Sequence, residues 1–228
     1  MMSPLSTDRA ASAGDEPSKG QIRQANEALI LAAAERVFAG AGFGGATMAS
    51  IAEAAGLPKA NLHYYFGSKQ ELYRTVLART LKDWLVPTHG ITPAADPCEA
   101  IERYIRAKMA LSVQRPHASK VFANELLHGA PVVKALLATE LRAMVLAKAA
   151  VIDGWIAAGR MAPVDSVHLF FTIWAATQTY ADFDAQVCAV LGRLELSASD
   201  HARATEHVVA LILRGCGLLD EADNQLLV

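Results

Sequence analysis

The sequence predicts an all-α fold of about nine helices, on three observations. Of 228 residues 53% are hydrophobic yet only 7% aromatic, so the apolar content is mostly Ala, Leu and Val. Ala and Leu lose little on entering a helix, whereas strands favour β-branched and aromatic residues. Apolar residues then recur at three- and four-residue spacing, with no convincing strand between them. Finally, caps, prolines and glycines punctuate the chain at intervals that suit helices.

The elements follow in order. Residues 1–20 are Ser, Ala, Gly, Pro and charge without periodicity, which predicts a disordered tail. Ile30, Ala34, Val37 and Ala41 form the first apolar stripe, ending at Gly42. Thr47 is an N-cap for a short helix carrying Met48, Ile51, Ala52 and Ala55, which Gly56 stops. A second short helix spans Pro58 to Phe66. Ser68 and Glu71 make a capping box that opens a longer helix through "LYRTVLARTLKDWL". Asp96 with Pro97 starts a helix to Gln114, and Pro116 starts one that Gly129 closes. A long helix runs from Pro131 to Gly159, one capped by Asp165 reaches Leu191, and a last one occupies 199–217. Residues 21–68 read as a small N-terminal unit, 69–219 as a larger one and 220–228 as a C-terminal tail.

Composition narrows the function classes. Net charge is −2 and the isoelectric point about 6.4, so an anionic partner has to be met by a local patch. Cys98, Cys188 and Cys216 are scattered without a CxxC, which argues against a disulfide framework or a zinc site and suits a reducing cytoplasm. The N-terminus lacks an apolar signal region, and no uninterrupted apolar run reaches transmembrane length. His63, His117, His128 and His168 have no HxxxH or HExxH partner, and Glu125 with His128 is a lone ExxH pair. An enzyme, a metal and a cofactor are therefore not expected.

Two short helices joined at Gly56 form a helix-turn-helix pattern, whose second helix enters the major groove of double-stranded DNA. At about 100° per residue, Leu62, Tyr65 and Phe66 share one side of that helix, while Ala60, Asn61, His63 and Tyr64 share the other. Lys59 stands at its N-terminal end. Ala60 permits close approach, and Asn61 and His63 can bond base edges or phosphates. Tyr64 and Lys69 have the reach for backbone phosphate, and the hydroxyl of Thr47 could meet another. Spacing alone leaves two readings, a DNA-facing surface or an ordinary helix end with core tyrosines.

The stretch "TMASIAEAAGLPKANLHYYFGSKQELYRTVL" resembles the signature of the tetracycline-repressor (TetR) family of bacterial transcriptional regulators, and the likeness covers residues 26–77. The resemblance implies backbone contacts from Thr47, Tyr64 and Lys69 and base reading from residues 59–63. Pro58 departs from the pattern, standing where many members have a Ser or Thr N-cap. The resemblance also makes the larger unit a ligand-binding and dimerisation domain.

Within "HLFFTIWAATQTYADFDAQV", Phe170, Trp174, Gln178 and Ala181 share one face, while Phe171, Ala175 and Asp182 lie on others. A helix apolar on more than one side needs two partners, and a four-helix bundle from two subunits of a homodimer supplies them. Packing is what such a stripe usually means, but a Gln one turn after a Trp suits a reader of a flat polar heterocycle. Trp84 near the end of the connecting helix is a second candidate wall. The segments "LKDWLVPT", "WIAAGRMAPVD" and "IWAATQTYADF" further resemble the pyrimidine-utilisation repressor subgroup, whose best-known member binds uracil and thymine. That resemblance implies ligand contacts at Trp84, Trp174 and Gln178, with Tyr180 and Asp182 as additions.

Overall fold

The computed structural model describes residues 18–219, and the tails expected at 1–17 and 220–228 lie outside them. Helix α1, Lys19–Gly45, begins inside the expected tail because Ser18 and Gln21 form a capping box there. Gly42, at φ 66°, breaks α1 where the first stripe was expected to end. The helix is long and apolar enough on length and composition to cross a membrane. Ile30, Leu31, Ala33, Ala34 and Phe38, however, are spent on the protein's own core.

Thr47 caps α2, Met48–Ala55, and Gly56 closes it in the left-handed region at φ 66°. Then come α3, Lys59–Phe66, and α4, Lys69–Leu85. Ser68 accepts from the Glu71 amide at 3.2 Å, so the serine half of the expected capping box forms. A 3₁₀ turn at Val86–Gly90 leads to α5, Pro97–Gln114, capped by Asp96, and then to α6, Pro116–Leu127.

Next, α7, Lys134–Leu136, runs through a π turn at Leu137–Leu141 into α8, Arg142–Ala157, as one continuous rod. The helix expected to reach Leu191 is instead two, α9, Ser166–Asp182, and α10, Asp184–Leu191. The break at Phe183 has no Gly or Pro to announce it. It is held from outside: α6 grips both flanks through Ser119 to Asp182 at 2.5 Å and Lys120 to Asp184 at 2.8 Å. Helix α11, Ala198–Gly215, completes the chain. With α7 and α8 counted as one, ten helices and no strand occur among the described residues.

Two apolar cores form. One joins α1–α4 to Val121 and Phe122 of α6 and Val133 before α7. The other joins α5, α8, α9 and α11 around Tyr104, Trp155 and Phe170. Because the first core crosses residue 68, the N-terminal unit is built onto the larger one rather than tethered to it. Arg115, at the break between α5 and α6, reinforces this joint by pairing with Glu35 of α1 and Asp83 of α4.

Candidate nucleic-acid interface and effector chamber

Helix α3 is fixed by its inner face. Leu62 and Phe66 are buried, and Tyr65, half-buried, accepts a hydrogen bond from Asn26 Nδ2 at 3.3 Å. The other face is left outside, with Lys59, Ala60, His63 and Tyr64 exposed and Asn61 half-buried. Tyr64 is 75% exposed and meets the Tyr65 ring edge-on at 5.3 Å. Core packing does not explain a tyrosine so placed.

Three of the other expected contacts are already partly engaged. Thr47 Oγ1 accepts from the Ser50 amide at 3.0 Å, although the residue stays exposed. A ring nitrogen of His63, Nδ1, lies 3.0 Å from the Gly67 carbonyl oxygen; donation there leaves Nε2 as the nitrogen for an outside group. Lys69 departs most from expectation. Its amine donates to the carbonyl oxygens of Phe43 at 2.7 Å and Ala46 at 2.8 Å, above the Phe43 ring. Two of its three N–H donors thus close the end of α1, and one remains for a phosphate. No side chain caps α3 at Pro58.

The second site lies at the far end of α4, about 24 Å from the head at the helical rise. Trp84, Lys108, Phe122, Leu141, Trp174 and Gln178 line most of a cavity of about 120 Å³ between α4, α5, α6, the π turn and α9. Trp84 meets Phe122 edge-on at 4.8 Å. Trp174 is locked in place because its Nε1 donates to Tyr104 Oη at 2.7 Å. Burial pushes the Tyr104 phenol well above its ordinary range, so it stays protonated. Three of the five expected ligand residues, Trp84, Trp174 and Gln178, are therefore brought together.

The other two are not part of this lining. Tyr180 lines a separate cavity with Ser112, Asp184, Cys188 and His201, because it lies six residues past Trp174 and faces elsewhere on α9. Asp182 accepts from Ser119 Oγ and faces the α6 joint. Lys108 is the charged lining residue that the sequence did not single out, alongside apolar ones such as Phe122 and Leu141. Its signal was present: on α5 it shares the apolar stripe of Ile101, Tyr104 and Ile105, seven residues after Ile101.

Residues 30–76 match the family model described as bacterial regulatory proteins, tetR family, and residues 77–219 match YcdC-like protein, C-terminal region. The HTH-type transcriptional regulator RutR of Escherichia coli (strain K12) is 42% identical over 191 residues, covering 84% of this chain and 90% of that one. RutR of Shigella flexneri gives the same figures. In fold, the chain resembles a tetR-family regulatory protein from Rhodococcus RHA1 at TM-score 0.67 and 21% identity, over 86% of this chain and 98% of that one. It also resembles the ketosteroid transcriptional regulator KstR2 of Mycobacterium tuberculosis at TM-score 0.64 and 19% identity, over 83% and 94%. These relatives are transcriptional regulators, not enzymes, and the chain belongs to the TetR family of ligand-responsive, DNA-binding transcriptional regulators.

Proposed function

We propose that the protein is a cytoplasmic repressor that binds a pseudo-palindromic operator as a homodimer and leaves it when a small flat heterocycle, such as uracil or thymine, enters the chamber. The observation that carries the ligand class is the chamber itself. Two indole walls and the amide of Gln178, which has no side-chain hydrogen bond among the described residues, enclose a volume far below the ~300–1,000 Å³ of sites for drug-sized ligands. An amide held this way among apolar walls is satisfied when a ligand offers both a donor and an acceptor. The resemblance to the pyrimidine-utilisation subgroup favours an imide-containing ring.

On the DNA side, Lys59, Ala60, Asn61, His63 and Tyr64 of α3 supply the base and phosphate contacts, aided by Thr47 and the free donor of Lys69. Two copies of α3 would occupy major grooves about one helical turn, ~34–36 Å, apart. A ligand wedged against Trp84 shifts α4, and α4 carries the head. By linkage, operator binding weakens ligand binding by the same factor.

The test is calorimetry of the purified protein with uracil and thymine, followed by an operator gel shift with and without each. Binding that releases DNA is the expected result. Absence of binding by any pyrimidine ends the pyrimidine reading and leaves the operator reading standing. Gln178→Leu is expected to lose the ligand response.

A further inference from the structure

The Lys108 amine has an environment that the fold alone does not satisfy. The residue is 2% exposed, and its Nζ stands 4.1 Å from the centroid of the Trp84 ring. Among the described residues its amine makes no hydrogen bond and no ion pair closer than its electrostatic coupling to Asp182. The carboxylate nearest in charge is Asp182 on α9, which is committed to Ser119 Oγ at 2.5 Å and also feels Lys120 of α6 and Asp184 of α10. Helix α4 contributes Trp84 but no charged group to this wall, and Tyr104, one turn earlier on α5, accepts from Trp174. A buried ammonium without a hydrogen-bond acceptor is costly, and a contact with one ring face offsets only part of that cost. Core packing would be better served at this position by Leu or Met.

We propose that Lys108 is a specificity-determining residue of the chamber, donating to a carbonyl or anionic oxygen on the edge of the effector. This rests on the reading of the cavity as the effector site and adds a chemical demand to it: a flat ring without an exocyclic oxygen leaves Lys108 unsatisfied and is rejected. Gln178 and Lys108 together then require a ring with an oxygen acceptor on one edge and a donor–acceptor pair on another. A second consequence follows from burial, which lowers the Lys108 amine to about 7 against the weaker opposing pull of Asp182. In the empty chamber the amine is half-charged near neutrality, and an oxygen ligand favours the charged form. Binding therefore takes up protons and weakens as pH rises.

The experiment is calorimetry of the full chain and of Lys108→Met with uracil, hydantoin and benzimidazole, the last a flat ring without oxygen. Runs at about pH 6.5 and about pH 8.5, in buffers of different ionisation enthalpy, read proton uptake. The expected result is that the oxygen-bearing rings bind the wild type and weaken about tenfold or more in Lys108→Met. Wild-type affinity for them is expected to fall about tenfold between the two pH values, as one to two units above the amine's midpoint require. The wild-type pH arm needs no variant, so a poorly folded substitution does not shelter the idea. A ring that binds both proteins equally with a flat pH profile overturns the role of Lys108, as does benzimidazole binding as tightly as uracil, and either leaves the chamber reading intact. Lys108-dependent binding of hydantoin without uracil overturns the pyrimidine reading and supports this one. Silence from all three rings removes both.

Discussion

Tyr64 is where the proposed recognition can be tested apart from folding, because its side chain is three-quarters exposed and no part of the core. Tyr64→Ala is expected to weaken operator affinity about tenfold, the worth of one hydrogen bond to a charged group, while leaving the urea midpoint unchanged. Lys59→Ala is expected to lower the slope of log affinity against log salt by about one, since one phosphate contact is lost. Lys69 differs from both. Lys69→Met should cost about 1–2 kcal/mol of stability as well as affinity, because the Phe43 and Ala46 carbonyls lose their donor. The inner and outer faces of α3 were legible because helical periodicity sorts neighbours three and four apart. The Lys69 contacts were not, since they join residues 26 and 23 positions away. Lys108 adds a pH signature in the ligand-free protein. Its amine titrates at about 7 when folded and near 10.5 when unfolded, so above 7 the unfolded chain binds the extra proton and stability rises with pH. Urea unfolding between about pH 7 and pH 9 is expected to show that rise in the wild type and a smaller one in Lys108→Met.

At the scale of elements, the proposed communication between the two sites runs through α4 and the α5–α6 break. Helix α4 starts at the Ser68 cap in the head and ends among Leu81, Trp84 and Leu85 at the chamber, so one rigid rod touches both. Arg115 holds that rod to its neighbours, bridging Asp83 on α4 and Glu35 on α1 from the residue where α5 gives way to α6. Glu35 is buried, so truncating the arginine strands a carboxylate. Arg115→Ala is expected to destabilise the fold by about 1–3 kcal/mol, less than a fully buried pair because Asp83 reaches solvent. The measurement is the shift in urea midpoint, and an unchanged midpoint would show that the bridge contributes nothing. Most helix ends were readable, because Thr47, Gly56, Asp96, Pro97 and Asp165 act on residues within four positions of themselves. The break at Phe183 was not, because Ser119 and Lys120 impose it from another helix.

At the scale of the whole molecule, several large apolar side chains of α9 to α11 stay exposed among the described residues. Phe171 on α9 is 48% exposed and Leu211 on α11 is 58% exposed, with Phe183 and Leu191 also outside. Periodicity showed α9 to be apolar on several sides but could not say which side is core, since burial within a chain and burial between chains leave the same pattern. The structure assigns Phe170 and Ile173 to the interior and Phe171 to the exterior. On its inner side α11 is pinned to α5 by Arg106, which grips both carboxylate oxygens of Glu206 at 2.6 and 2.8 Å and so leaves Leu211 facing outward. A second copy of the chain laid α9 and α11 to α9 and α11 would bury this outward face as a four-helix bundle, and a stable pair needs about 800 Å² from each partner. A charge at its centre would have to be desolvated twice, once in each subunit, by the symmetry of the pair. Leu211→Glu is therefore expected to convert the protein to monomers in sedimentation velocity while leaving its helical signal intact, since the residue is more than half exposed within one chain. Operator binding should fall with it by far more than for any single contact residue, because one head alone engages one half-site. A dimeric Leu211→Glu protein would place the subunit interface on another face.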